Sequence, residues 1–273
     1  MLTIQAYNDK KEANLANIET HNQVKPTRLT HFRSEYRRGI KANYHGCQHM
    51  LMVLFIASIM VITACLALKH VRLIELWIIP FTLMAANLIE YVAHRYLGHK
   101  MIKFKGWALG RLFYQRHTLE HHRFFDQHNM DYQSTRDWRV ILFPSYLIVG
   151  ICLVGLMPLM LIGYSLDSAT AANVIAAAEF APYSALNLAS LASISAIFCY
   201  LSYEALHFSY HLPKAHPLRL RLDMLPWWRR LRQLHVQHHH PRLMGRGNFN
   251  VTWPLCDYLF NSLYWQVNIK KIK

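Results

Sequence analysis

Four groups of histidines are the residues in this chain best suited to chemistry. They are His94-x4-His99, His117-x3-His121-His122, His207-x3-His211 and His235-x2-His238-His239. Imidazole is a good donor for iron, zinc, copper or nickel, and residues three or four apart share one face of a helix. His117 with His121, His207 with His211, and His235 with His238 and His239 have that spacing, so each group can aim two rings at one point. The neighbours in His121-His122 and His238-His239 diverge by about 100°, which suits a pair that spans two adjacent ions. His94 and His99 are five apart and fall off the face of a straight α-helix; Gly98 between them is a place for the helix to end or loosen. A tetrahedral ion takes about four ligands and an octahedral one about six. Ten imidazoles are too many for one ion, and two ions with roughly five each keep a position open for oxygen or substrate. The donor type does not name the metal.

The remaining histidines have plainer readings. His21, His31, His45, His49, His70 and His128 stand alone and read as surface or hydrogen-bonded residues; His216 and His240 lie nearer the groups. Glu90 and Glu204 sit one turn before His94 and His207. They read either as partners that orient an imidazole or as carboxylates at a membrane edge.

The elements that must position these groups are apolar blocks. Of 273 residues, 53% are hydrophobic and 16% charged, and the apolar ones cluster in residues 47–68, 73–93, 140–163 and 185–206. A helix of about 20 apolar residues crosses a bilayer, so four crossings are expected. Residues 164–184, small and polar, read as a connection with a short interfacial helix. The net charge is +15, and of the 30 Lys and Arg all but Lys69 and Arg72 fall in residues 1–46, 94–139 and 207–273. Four crossings put those three segments on one side, which the positive-inside rule assigns to the cytosol. All four histidine groups lie there too. Orientation thus accounts for the basic excess, and no nucleic-acid partner is needed. The five cysteines show no paired spacing, and the polar first 40 or so residues give no sign of a cleavable leader.

The expected fold is therefore all-α: an integral-membrane four-helix transmembrane bundle with a cytosolic helical cap holding a dimetal histidine site. Residues 1–46 are expected to be a cytosolic tail with a surface helix near 31–41, and residues 47–273 the membrane-embedded catalytic domain. Pro226-Trp227-Trp228-Arg229-Arg230 has the composition of an interfacial anchor.

The order and spacing of the four groups resemble those of the fatty acid hydroxylase / sterol desaturase superfamily. Gly245-Arg246-Gly247-Asn248 and the following Pro254-Leu255-Cys256-Asp257-Tyr258-Leu259-Phe260 are similar to that family's tail. The resemblance covers residues from about 80 to 262. It implies a non-haem centre of two iron ions, with zinc an alternative in purified protein, held by the ten histidines, and O2 as co-substrate. Such enzymes hydroxylate or desaturate acyl chains, sphingolipids or sterols in a bacterial inner membrane or the endoplasmic reticulum. One departure is His-x3-His-His at residues 117–122, where many members have His-x2-His-His. Another is the lack of a fused cytochrome segment, which implies a separate electron donor, a b-type cytochrome or a ferredoxin with its reductase. A histidine-rich metal transporter would need its ligands near the bilayer middle. A zinc hydrolase would need a carboxylate base, for which Glu120 is the candidate.

Overall fold

The computed structural model describes residues 28–104, 107–173 and 183–265. In chain order the helices are α1 (Arg28–Gly39), α2 (Gly46–Ala67) and α3 (Leu73–Gly98), then α4 (residues 111–124) and α5 (Trp138–Ile141). They continue with α6 (Ser145–Thr170), α7 (Ala185–Tyr210), α8 (Pro217–Leu222), α9 (Pro226–His238) and α10 (Leu255–Leu259). A two-stranded antiparallel pair, Ile102–Phe104 with Trp107–Leu109, and an isolated bridge between Asp126 and Asn129 are the β structure among the described residues. Helix α1 belongs to a unit separate from the rest, a polar helix with His31 3.4 Å from Glu35.

Helices α2, α3, α6 and α7 are long and apolar enough to cross a membrane, and the chain reads as a multi-pass membrane protein. Their outward faces carry exposed Phe55, Leu66, Trp77, Phe81, Val154 and Phe198, side chains that an aqueous surface would not support in such number. Their inward faces follow helical spacing: Val53, Ala57, Met60 and Ala64 on α2 meet Ile148, Cys152, Leu156 and Met160 on α6 and Ala189 and Ile197 on α7. Small residues let apolar helices approach closely. Ser193 and Ser195 on α7 return their hydroxyls to the carbonyls of Ala189 and Leu191 at 2.8 Å, leaving no polar demand on the lipid.

Two boundaries differ from the sequence expectation. The third crossing starts at Ser145, because Pro144 disfavours helix at the residue before it; Trp138–Ile141 is a separate short helix. That crossing also runs on past residue 163, so the first part of 164–184 is its last turns and not an interfacial helix. Residues 174–182 lie outside the described residues.

The two ends of the bundle have different chemistry. At one end Asn187 accepts from Lys69 N–H (2.9 Å) and donates to Lys69 carbonyl (2.7 Å) and Glu75 (2.9 Å). Asp167 accepts from Ser184 Oγ and the N–H groups of Ala185 and Leu186. These bonds tie both hairpin turns together. At the other end lie α4, α5, α8, α9 and α10. Trp228, read from sequence as an interfacial anchor, is instead fully buried against Tyr210 and Val251 and donates to Ser209 Oγ at 2.8 Å. Only Trp227 of the pair is exposed. The buried indole fastens α9 to the end of α7, where the third and fourth histidine groups sit.

Candidate metal centre

Helical register decides which rings meet. Ala93–Gly98 and Gln115–His121 are π-helical. A π turn bonds i to i+5 and adds a residue per turn, so residues five apart come to one face. His94 and His99, off-face on an α-helix, stack with ring centroids 5.1 Å apart. His117 and His122 meet in the same way, Nε2 to Nε2 at 3.0 Å. The extra residue in His117-x3-His121-His122 is taken up by the second π turn.

The result is two adjacent sets that cut across the sequence groups. His94, His99, His117, His122 and His238 form one; His121, His207, His211 and His235 form the other. Within each, the ligand atoms lie within 4.8 Å of one another. His239 joins the second set, with Nε2 3.1 Å from that of His121 and 3.2 Å from that of His235. Both doublets are divided between the sets, and the His122 and His239 rings lie 4.3 Å apart at the boundary.

Six of the ten tautomers are fixed from behind; the buried Nδ1 atoms of His122, His207 and His235 have no hydrogen-bond partner among the described residues. Nδ1–H donates to the carbonyl of Val140 from His121 (3.0 Å), of Met130 from His211 (2.8 Å), of Gly247 from His238 and of Phe125 from His239 (both 2.9 Å). His94 Nδ1 pairs with the Phe249 carbonyl. His99 Nδ1 donates to Thr118 Oγ1 (3.2 Å), whose own proton goes to the Gly98 carbonyl. A neutral ring that has given its Nδ1 proton away presents only a lone pair at Nε2. Where both rings have done so, those lone pairs face each other: at 3.0 Å for His99 and His238 in the first set and at 3.1 Å for His121 and His239 in the second. Two nitrogens bound at about 2.1 Å to one ion at a right angle are about 3.0 Å apart. Facing lone pairs at this spacing repel unless a cation lies between them. The donor set therefore fits two transition-metal ions, and the all-nitrogen ligation suits iron, zinc, copper or nickel alike.

Electrostatics agree. Burial lowers the pKa of His99, His117, His122, His211, His235 and His239 well below the ordinary value. It lowers His121 to about 3 and His238 to about 4, partly opposed by their carbonyl bonds. The rings are neutral near neutral pH, the state metal binding requires.

Neither Glu90 nor Glu204 orients a histidine. Glu90 accepts from the N–H groups of Val251 and Thr252 and from the Thr252 hydroxyl. Glu204 accepts from Phe143 N–H (3.2 Å) and Tyr200 OH (2.8 Å). The carboxylates hold loops, and backbone carbonyls hold the imidazoles. Those carbonyls carry no sequence signal of their own; the tail around Gly247 was marked only by its resemblance. Asn248, in the left-handed region at φ 56, braces that tail by donating to the carbonyls of Leu234 (3.2 Å) and Tyr264 (3.1 Å). A Cβ on Gly247 would stand 2.2 Å from the Ser262 carbonyl. Glu120 is paired with Arg116 at 2.8 Å. His240 accepts from Arg242 N–H and His216 from Leu218 N–H, both as local turn bonds outside the sets.

Two apolar cavities reach the histidines. One, of about 450 Å³, runs between the spans from Leu83, Leu156 and Ala196 to His94. The other, of about 310 Å³, lies at the bundle end among Leu97, Leu112, Val140 and Tyr146 and reaches His117, His121 and His207. Comparison with protein families, characterised proteins and solved structures gave no match for this chain.

Proposed function

We propose that this chain is a membrane-bound oxidoreductase that hydroxylates a lipid substrate, acyl, sphingolipid or sterol, at an O2-dependent centre of two iron ions. The observation that carries the reading is the pair of adjacent imidazole sets, lone pairs turned inward, opening onto an apolar cavity between membrane-spanning helices. Iron bound there would supply O2 activation and the oxidation of an unactivated C–H bond; its choice over zinc rests on the resemblance to fatty acid hydroxylases and sterol desaturases.

The chain's own residues do the rest. His94, His99, His117, His122 and His238 would hold one ion, and His121, His207, His211, His235 and His239 the other. The Nδ1 bonds of His94, His99, His121, His211, His238 and His239 keep those six rings aimed before substrate arrives, so they need no reorganisation at the moment of reaction. Leu83, Ile151, Leu156 and Phe198 surround a hydrocarbon chain and keep water from it. The histidine end faces the cytosol by the positive-inside rule. Exposed Lys214, Arg221, Arg229 and Arg230 on that end suit an acidic electron donor, a b-type cytochrome or a ferredoxin. A metal transporter is less well supported, because both sets stand at the end of the bundle and not at its middle.

Metal analysis of the purified protein should give about two ions per chain. Lipid extracts from a host expressing the protein under O2 should contain a species heavier by one oxygen that is missing with His238→Ala. A species lighter by two hydrogens would assign a desaturase with the same centre. Unchanged lipids in the presence of a metal-loaded protein would refute the oxidoreductase reading.

A further inference from the structure

After α9 the chain turns back down the side of α3. Phe249 meets α3 at His94, whose Nδ1 pairs with the Phe249 carbonyl. Val251 and Thr252 meet it one turn lower, where both N–H groups donate to Glu90. Trp253 and Cys256 meet it lower again. Asn87 donates to the Trp253 carbonyl at 2.9 Å and accepts from Cys256 N–H at 3.3 Å. From His94 to Asn87 is seven residues, about 10 Å of helix rise. The chain then climbs back to where it left. Asn248 N–H donates to the Ser262 carbonyl at 2.9 Å, and Tyr264 N–H to Asn248 Oδ1 at 2.8 Å.

The outer face of α3 is still apolar at this height. Leu88, Ile89 and Val92 are exposed, on a helix long and apolar enough to cross a membrane. Acyl chains that cover Val92 also reach the level of Glu90 and Asn87. The excursion therefore hangs beside lipid and not above it.

Its composition suits that place. No Lys or Arg occurs from residue 247 to 269, although residues 207–273 carry 11. Asp257 is fully buried and accepts from Asn250 N–H and Ser262 Oγ, both at 2.7 Å. The outward side chains are Trp253, Tyr258, Leu259 and Phe260. Irregular backbone at membrane depth must find its polar partners within the protein. Here the N–H groups of Asn250, Val251, Thr252, Cys256 and Asp257 go to the side chains of Asp257, Glu90, Asn87 and Asn250. The Val251 carbonyl accepts from Tyr210 OH at 3.0 Å.

We propose that residues 250–260 are a re-entrant segment embedded in the lipid layer at the histidine end, with Trp253, Tyr258, Leu259 and Phe260 against acyl chains. The occupant of this face is the bilayer, because the face continues the lipid-facing surface of α3 and offers no charge to a protein partner. Trp253 also lines the cavity between the spans, with Ile89 and Phe198, and all three are exposed. The cavity thus opens sideways beside the segment, and Trp253 forms one side of the opening. This goes beyond the proposed function and holds whatever reaction the histidines carry.

Quenchers carried in lipid and in water test the placement. Tyr258→Cys and Leu259→Cys, each in the full-length chain with Cys47→Ser and Cys65→Ser, are labelled with bimane and placed in phosphatidylcholine nanodiscs. A nitroxide fixed near the top of the acyl chain should lower emission at both positions about threefold, and iodide should lower it by less than about a tenth. A label at Lys214→Cys, in the exposed loop after α7, should show the reverse. Stronger quenching by iodide at 258 and 259 would place the segment in water. Equal quenching would raise it to the headgroup surface. Quenching by neither would mean that a second copy or another protein covers it. Each of these overturns the proposal, and the paired positions guard against one label disturbing its own site. Metal and product analysis decide the oxidoreductase reading separately, so either reading can fail without the other.

Discussion

At the scale of single residues, the site is a set of neutral imidazoles that have no use for Nε2 except as a ligand. His211, with Nδ1 bonded to the Met130 carbonyl and Nε2 3.2 Å from that of His235, shows the pattern clearly. Because the ten rings divide into two sets, single substitutions should act on one ion at a time. His99→Ala and His211→Ala should each lower bound metal by about one ion per chain, and the double variant should lose both; elemental analysis reads the difference. The pH response has a definite sign. His121 is held at about 3 and His238 at about 4 when folded, against 6.5 in the unfolded chain. Protons therefore favour the unfolded state, and stability present above pH 6.5 falls as pH drops from there toward 4 and 3. The metal-free protein should show a melting temperature that declines steadily between pH 7 and pH 5. A flat profile would mean these rings are more open to water than their burial indicates. Residue types were fully legible: all ten histidines singled out by spacing come together. What spacing could not show was the partition, since His121 leaves its neighbours for the other set and His238 parts from His235.

At the scale of elements, the two π turns explain the gap between sequence and site. Reading the chain with an α-helical period leaves His94 and His99 on different faces and makes the spacing of His117 to His122 an anomaly. One added residue per turn resolves both. No local composition announces a π turn, because tertiary contacts decide it. Gly98 is the nearest thing to a signal, and its role is close approach: a Cβ there would sit 3.1 Å from His117 Cδ2. Gly98→Ala should therefore push His117 out of place and lower occupancy of the first set, while leaving helicity by circular dichroism unchanged. Full metal content in that variant would show that the π turn can relax around a methyl group. The apolar blocks, by contrast, were legible to within a few residues at most ends. The exceptions are the two ends of α6: its start follows from Pro144 and its effect on Phe143, and its other end runs on past residue 163.

At the scale of the whole molecule, the bundle separates a structural end from a histidine end. The clasp of Lys69, Glu75, Asp167, Ser184 and Asn187 lies opposite all ten rings. Side-selective thiol labelling in sealed membranes should therefore reach Tyr183→Cys from one face and Trp265→Cys, beyond the histidine end, from the other; both positions are exposed. Labelling of both from the same side would break the four-crossing topology. The two histidine sets also draw unequally on the two halves of the chain. The first takes four members from residues 94–122 and only His238 from the end, whereas the second takes only His121 from the first half. During synthesis a ribosome thus delivers most of one cradle long before the other has more than its first ring, His121. Chain order alone separates the two cradles in time: the first lacks only His238 when the third span emerges, and the second waits for His235 and His239, a few dozen codons from the end.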